Sequence, residues 1–455
     1  MKRNIIGISI IGTSIALTAC LIWGQQAANI VIPGRGEKPT IAVPDFRGSG
    51  VAQPVMDVFN QTLFRELQDS GQLKMAPKTV YPLNLPQQPS DFKEPAAGRS
   101  QGPWVSDWAG APVNANYLAF GYTAARDGQL ILFGWLYNVQ LRTTQGAQLI
   151  GKIYNGTLDD AGAKKVAAEF AADILKQFGG VSLIGTRIYF VSDRTGNKEI
   201  WSMDYDGSDQ KPVTRYGTIT TFPTVSPDGS KLAFTSYSPT PKIVVHSLET
   251  GRKLPFYNQS ASMNIASDFS PDSKQLLIAS TLSGGYSQIY QTNTDGSNLH
   301  RISHSSSIDV EAKMNPKTGA GIVFVSGRGG LPQIYRMSSD GSDVVRLTNG
   351  EGEAVNPSWN PDGQHIAFAW TRGYNPGAFN VFVMDVAARE YVQLTSGEGR
   401  NENPQWAPDG VHLVYSSKRG RVSQIWTMLA DGGSPRQLTT RGNNEKPVWS
   451  GKAGK

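Results

Sequence analysis

Val225-Ser226-Pro227-Asp228-Gly229-Ser230-Lys231-Leu232-Ala233-Phe234 (VSPDGSKLAF) is the stretch whose reading decides the fold. Pro presets φ at the first central position of a tight turn, Asp bonds back to its own backbone, and Gly takes a positive φ. The turn returns as Ser270-Pro271-Asp272-Ser273, Asn315-Pro316-Lys317-Thr318, Asn360-Pro361-Asp362-Gly363 and Ala407-Pro408-Asp409-Gly410, with prolines 44, 45, 45 and 47 residues apart. A second marker is Asp206-Gly207, Asp295-Gly296, Asp340-Gly341 and Asp431-Gly432. A third, closing pair occurs six times: Val213-Thr214, Leu254-Pro255, Ile302-Ser303, Leu347-Thr348, Leu394-Thr395 and Leu438-Thr439. Between markers, 231–236 (KLAFTS), 321–326 (GIVFVS), 365–370 (HIAFAW) and 412–417 (HLVYSS) are strand formers in matching phase. Four short strands in each repeat of about 40–50 residues specify β-propeller blades, and six closing pairs predict six of them.

The repeat is out of phase at its ends. The first copy begins at Arg187-Ile188-Tyr189-Phe190 without the strand that should precede it, and Lys446-Pro447-Val448-Trp449-Ser450 is that strand without its blade. The C-terminal segment is therefore expected to close the ring, which removes an open sheet edge. The residues just before each turn, Val225, Phe269, Met314, Trp359, Trp406 and Trp449, are expected to pack between neighbouring blades.

Upstream of the repeat the pattern changes. Residues 40–46 (TIAVPDF), 117–122, 129–138 and 149–154 are expected strands. Val55, Val58, Phe59, Leu63 and Leu67 share one helical face with Gly71 as the stop, and Val166, Phe170, Ile174 and Phe178 share another, ended by Gly179-Gly180. Two helices on one small sheet make an α+β two-layer domain. Residues 76–103 carry six prolines and are expected to be extended or looped. The predicted organisation is a leader at 1–27, an α/β domain at 28–181 and the all-β six-bladed propeller at 182–455.

The leader has a charged start (Met1-Lys2-Arg3), an apolar run from Ile5 to Trp23, and small residues at Ala27 and Ala28. That order is an export signal. An uncleaved anchor and a lipoprotein signal with Cys20 lipidated after Leu17-Thr18-Ala19 are the rival readings. All three place the body of the chain beyond the inner membrane, in the periplasm.

Composition excludes several classes. Gly (49) and Pro (27) favour turns over long helices, while 39 % hydrophobic residues suffice for a packed core. One cysteine rules out an internal disulfide and multi-cysteine metal sites. A net charge of +6, with no basic run, gives no case for nucleic acid. There is no Gly-x-Ser-x-Gly, phosphate loop or metal-ligand spacing, and no appended hydrolase domain is expected after Thr439. His365 and His412 hold one lattice position, three residues after the turn Asp, so they are expected to be surface-strand residues rather than catalytic ones. No catalytic residue, cofactor or metal is assigned.

In its export signal, its α/β domain and six blades closed by the tail, the chain resembles the TolB family. The resemblance rests on 28–46 (ANIVIPGRGEKPTIAVPDF), 161–192, Tyr205-Asp206-Gly207 and 225–234. This sequence departs from the family pattern at Lys317-Thr318, around Gly373–Ala378, in the proline-rich segment and at Cys20. The resemblance implies a non-enzymatic, monomeric periplasmic scaffold of the Tol–Pal system, supporting outer-membrane integrity and cell division and touching membranes only through partners or its N-terminus. It implies binding of the lipoprotein Pal at the channel mouth and of TolA through the arm Asn29, Ile30, Val31 and Ile32. Loops entering the innermost strands converge on the mouth. They supply Thr220, Phe222, Met263, Asn264, Ala266, Val310, Glu311, Glu353, Asn356, Arg400, Asn403, Asn443 and Lys446. Alternatives are a propeller enzyme using acids such as Asp309, Glu311 and Glu353, and a carbohydrate- or peptidoglycan-binding propeller marked by channel-facing aromatics.

Overall fold

The computed structural model describes residues 37–93, 102–372, 377–397 and 399–452. The leader with Cys20 and the arm Asn29 to Ile32 lie outside the described residues.

The first domain is built on a mixed sheet in the order Lys74–Met75, Thr40–Ala42, Tyr117–Arg126, Gln129–Asn138, Gln148–Thr157, with Arg47–Gly48 also pairing to Tyr117–Arg126. Strand Thr40–Ala42 is parallel to both neighbours and the long strands are antiparallel. Helices α1 (Met56–Asp69) and α3 (Asp160–Gln177) cover one face. Their buried residues, Phe59, Leu63, Leu67, Val166, Phe170 and Ile174, recur at helical spacing. Asp159 caps α3 by accepting from Gly162 N at 2.8 Å, and Gly71 (φ 66) and Gly179 (φ 75) take the left-handed conformation past the two helix ends. The described part of the proline-rich segment, 76–93, is a loop with short 3₁₀ turns at Lys78–Val80 and Pro89–Asp91, and it has a further role. With the one-turn α2 (Ser106–Ala109) it covers the second face of the sheet, burying Phe92, Val105 and Trp108 against Phe120 and Tyr137.

The rest of the chain is six four-stranded antiparallel sheets. Five are consecutive in sequence. The sixth, called blade 1, has the order Asn444–Trp449, Arg187–Ser192, Glu199–Asp204, Lys211–Pro212. The tail thus supplies the innermost strand of the first blade, and Arg187 N and O bond Ser450 Oγ (2.9 Å) and N (2.8 Å). Phe269, Met314, Trp359, Trp406 and Trp449 are buried between blades, and Val225 packs half-buried onto blade 1.

The repeated polar residues are struts. Ser226 O accepts from Gly229 N at 2.8 Å, and Asp228 Oδ1 accepts from Ser230 N at 2.9 Å. Where the third turn lacks its Asp, Asn315 Oδ1 takes over, accepting from the Lys317 and Thr318 amides at 3.0 and 3.1 Å. The closing hydroxyls lock their sheets: Thr348 Oγ1 donates to Gln333 Oε1 (2.7 Å) and accepts from Ile334 N (3.0 Å), and Thr439 repeats this with Gln424 and Ile425. Blade 2 closes on Pro255 and uses Asn258 instead, bonded to both backbone groups of Ile243.

The α/β domain sits on the turn end of the propeller. The C-terminus of α1 meets blades 6 and 1, where Tyr205 donates to the Glu66 carboxylate and a cavity of about 600 Å³ separates the domains. His412 Nδ1 lies 2.6 Å from Asp409 Oδ2, and Nε2 lies 2.7 Å from the Asp69 carbonyl. Both partners only accept, so both nitrogens donate and the ring is an imidazolium, placed against a helix C-terminus that favours positive charge. His412, expected as a plain surface-strand residue, is therefore a bridge between domains. His365 pairs with its own turn, Nδ1 to Asp362 Oδ2 at 2.7 Å.

Candidate functional site

Each innermost strand starts at the end of the channel opposite the α/β domain. Near its start each carries a bulge, where the register to the next strand shifts in all six blades: at Phe222, Glu311, Asn356, Asn403 and Lys446 in five of them, and in blade 3 at Ser267, one residue past the paired Ala266 that stands level with those five. The five are left-handed, with φ of 53° at Phe222, 55° at Glu311 and Asn356, 54° at Asn403 and 51° at Lys446. Pro follows in four blades (Pro223, Pro357, Pro404 and Pro447), where a residue without an N–H fits the unpaired bulge. Non-glycine residues in this region cost on the order of 1–3 kcal/mol each, less for Asn, so surrounding bonds must hold them.

Those bonds run around the ring. Glu311 accepts from Asn356 N at 2.7 Å and Nδ2 at 2.8 Å, and Asn356 Oδ1 accepts from Asn403 N at 3.2 Å. Lys446 Nζ lies 4.2 Å over the Phe222 ring. One layer deeper, Lys313 Nζ donates to Ser267 O at 2.7 Å and lies 3.6 Å from Asp268. Burial pushes the Asp268 carboxyl above its ordinary range, against the pull of Lys313 and the Met314 N–H.

The space enclosed by these side chains is about 70 Å³. Small-molecule pockets run to about 300–1,000 Å³. The channel is too full at this level to swallow a ligand of that size, so recognition here is a matter of the surface around the mouth.

The structure brings Ala266, Glu311, Asn356, Asn403 and Lys446 together on this ring, with Phe222. Ala266 is 4 % exposed and is wall rather than contact. Met263 and Glu353 are half-buried on the entering loops, whereas Val310, half-buried, and Arg400, exposed, already lie in the strands Asp309–Met314 and Arg400–Trp406 rather than in the loops expected for them. Asn264 corrects the sequence expectation: it is 4 % exposed and its side chain is spent inside the blade, accepting from Ser280 Oγ at 2.7 Å and donating to Gln259 O at 3.0 Å. Thr220 is likewise buried. These two begin their strands at the register position also held by Asp309 and Asn444, a strut position and not a surface one.

Sequence reasoning missed four arginines. Arg194, Arg328, Arg372 and Arg419 each follow the second strand of their blade by the same step (Ser192-Asp193-Arg194, Ser326-Gly327-Arg328, Trp370-Thr371-Arg372, Ser417-Lys418-Arg419). Each guanidinium lies over an aromatic ring: 4.5 Å from Trp201, 5.2 Å from Tyr335, 4.9 Å from Trp370 and 3.8 Å from Trp426. Aligning the ends of the second strands would have found them. Among the described residues no three His, Cys, Asp or Glu side chains form a metal-holding group, and no helix is long and apolar enough to cross a membrane.

Fold and site together define a six-bladed propeller protein with an α/β domain on one end and a polar, nearly filled mouth at the other. The TolB beta propeller domain family matches residues 176–375 and 348–455. The chain belongs to the TolB family. It is 32 % identical over 195 residues to a TolB homolog of Chlorobaculum tepidum, spanning 42 % of this chain and 43 % of that protein. It is 30 % identical over 336 residues to the Tol-Pal system protein TolB of Bordetella pertussis, spanning 62 % of this chain and 70 % of that one. The crystal structure of TolB from Acinetobacter baumannii, 24 % identical, matches the fold at TM-score 0.73 over 91 % of this chain and 97 % of that one.

Proposed function

We propose that this chain is a non-enzymatic docking component of a Tol–Pal envelope system in the periplasm. It binds Pal at the channel mouth and TolA through the arm Asn29 to Ile32, supporting envelope integrity and cell division. The observation that carries this reading is the mouth itself: a rigid ring of mixed polar groups, left open by the α/β domain at the other end, over a channel with about 70 Å³ to spare. Such a surface suits a polar, reversible protein contact. Membership of the TolB family, and the system named for the Bordetella pertussis relative, support the choice of partner.

The test is calorimetric titration of the chain lacking residues 1–27 with the folded periplasmic domain of Pal from the same organism. Saturable one-to-one heat is expected; its absence overturns the reading. Deleting residues 28–36 should abolish TolA binding and leave Pal binding measurable. TolA affinity retained without the arm would remove the arm from the account.

A further inference from the structure

The mouth is not uniform around its rim. At the seam of blades 6 and 1, three loops touch. Asn444 N donates to Ser423 O at 2.8 Å, Ser423 N donates to Asn443 Oδ1 at 2.7 Å, and Arg194 reaches Asn444 Oδ1 at 2.9 Å. These loops and the strands they join carry Arg194, Lys418, Arg419, Arg421 and Arg441, and Arg400 opens the adjoining strand Arg400–Trp406. Arg400 and Lys418 stand directly opposite each other in the ladder, a placement that repels. Burial and then the nearby charge of Arg441 make Arg194 easier to deprotonate. Among the described residues the local acids are already engaged: Glu402 with Arg400, Glu445 with Lys198, and Asp193 with the Asn443 amide. Lys418, Arg421 and Arg441 are exposed and form no ion pair with a described residue.

Across the channel the exposed side chains include apolar ones, and the arginine there, Arg328, is paired with Asp309 at 3.0 Å. At the seam of blades 3 and 4, Asp309 N donates to Ser287 O at 2.9 Å and Gly327 N to Ile308 O at 3.0 Å, so the loops there are also contiguous. They expose Tyr286 (57 %), Ile308 (38 %) and Leu331 (55 %). In a six-membered ring the 3/4 seam lies opposite the 6/1 seam.

We propose that this polarity sets the rotational register of the docked partner: one protein surface presents carboxylates to the 6/1 seam and an apolar flank to Tyr286, Ile308 and Leu331. The inference rests on the docking reading above and adds the partner's surface chemistry and orientation to it. Unneutralised exposed cations gain from meeting carboxylates, and such pairs act mostly on encounter and specificity. The apolar flank contributes by burial, which salt does not screen.

The experiment measures Pal-domain affinity against salt for wild type, for Lys418→Glu/Arg421→Glu/Arg441→Glu, and for Tyr286→Ser/Leu331→Ser, each with a thermal melt to confirm folding. Wild-type affinity should fall as salt rises. The charge-reversed variant should lose about tenfold or more at low salt and converge on wild type at high salt. The apolar variant should be weaker by a similar factor at every salt concentration. Unchanged, equally salt-dependent binding by the charge-reversed variant overturns this inference and leaves the docking reading intact. No binding by wild type overturns the docking reading itself. Co-sedimentation with phosphatidylglycerol vesicles, lost in the charge-reversed variant while Pal binding is kept, would assign the basic seam to a lipid surface and overturn the proposal.

Discussion

Trp406 and Trp449 hold the same register in blades 6 and 1, yet their indoles are not equivalent. Trp449 Nε1 donates to Thr186 Oγ1 at 2.9 Å, whereas Trp406 Nε1 is buried without a partner among the described residues. Replacing either by Phe shrinks a packed side chain, but only Trp449→Phe also breaks a hydrogen bond. Urea unfolding should therefore show Trp449→Phe costing about 1 kcal/mol more than Trp406→Phe; equal costs would contradict the assigned roles. His412 makes a pH-dependent prediction. Burial pulls it down, but the Asp409 carboxylate and the Asp69 carbonyl outweigh that and hold it above its ordinary 6.5. Arg65, Glu66, Asp206 and Arg436 share the adjoining cavity, and Glu66, raised by burial, works in the same direction from a lower starting value of 4.5. A group raised on folding stabilises fully below its unfolded value, and that contribution is lost as pH rises through the folded value. The melting gap between wild type and His412→Gln should thus be wider near about pH 5.5 than near about pH 9. A gap independent of pH would show that the charge on the ring contributes nothing.

At the scale of elements, the closing strand is the decisive one. Asn444–Trp449 pairs with Arg187–Ser192 and buries Val448 and Trp449. Losing a buried Trp alone costs about 3–5 kcal/mol, and each kcal/mol is about 2–4 °C in a domain of this size. Deleting residues 444–455 should lower the melting temperature by about 10 °C or more; an unchanged melt would refute the closure. This strand was legible because its Pro-x-Trp-Ser ending repeats the phase set at Pro227, Pro271, Pro316, Pro361 and Pro408. The outermost strands were not. Lys211–Pro212, Lys253–Leu254, His300–Arg301, Val345–Arg346 and Arg436–Gln437 are two residues each, too short for an alternating pattern to register. The same limit hid Lys74–Met75 and Arg47–Gly48, whose pairing is set by what packs on them.

For the whole molecule, the two ends of the propeller do different work. The turn end receives α1 through Glu66–Tyr205 and Asp69–His412; the mouth end is not covered by the α/β domain and is where the proposed docking takes place. The bulge ring at the mouth was largely legible, because strand phase alone brings Glu311, Asn356, Asn403 and Lys446 to one level. Asn264 was misjudged because phase places a residue along a strand without saying whether its polar group is spent on a neighbour. The domain contact was illegible: Asp69 and His412 are 343 positions apart, and nothing local to either names the other. The most direct test of the account compares the two ends. A photo-crosslinking residue at Arg441, on the mouth, and one at Lys274, exposed on a turn, should behave oppositely when Pal is added to the chain lacking residues 1–27. The account predicts a crosslink to Pal from Arg441 and none from Lys274; a crosslink from Lys274 alone would contradict it.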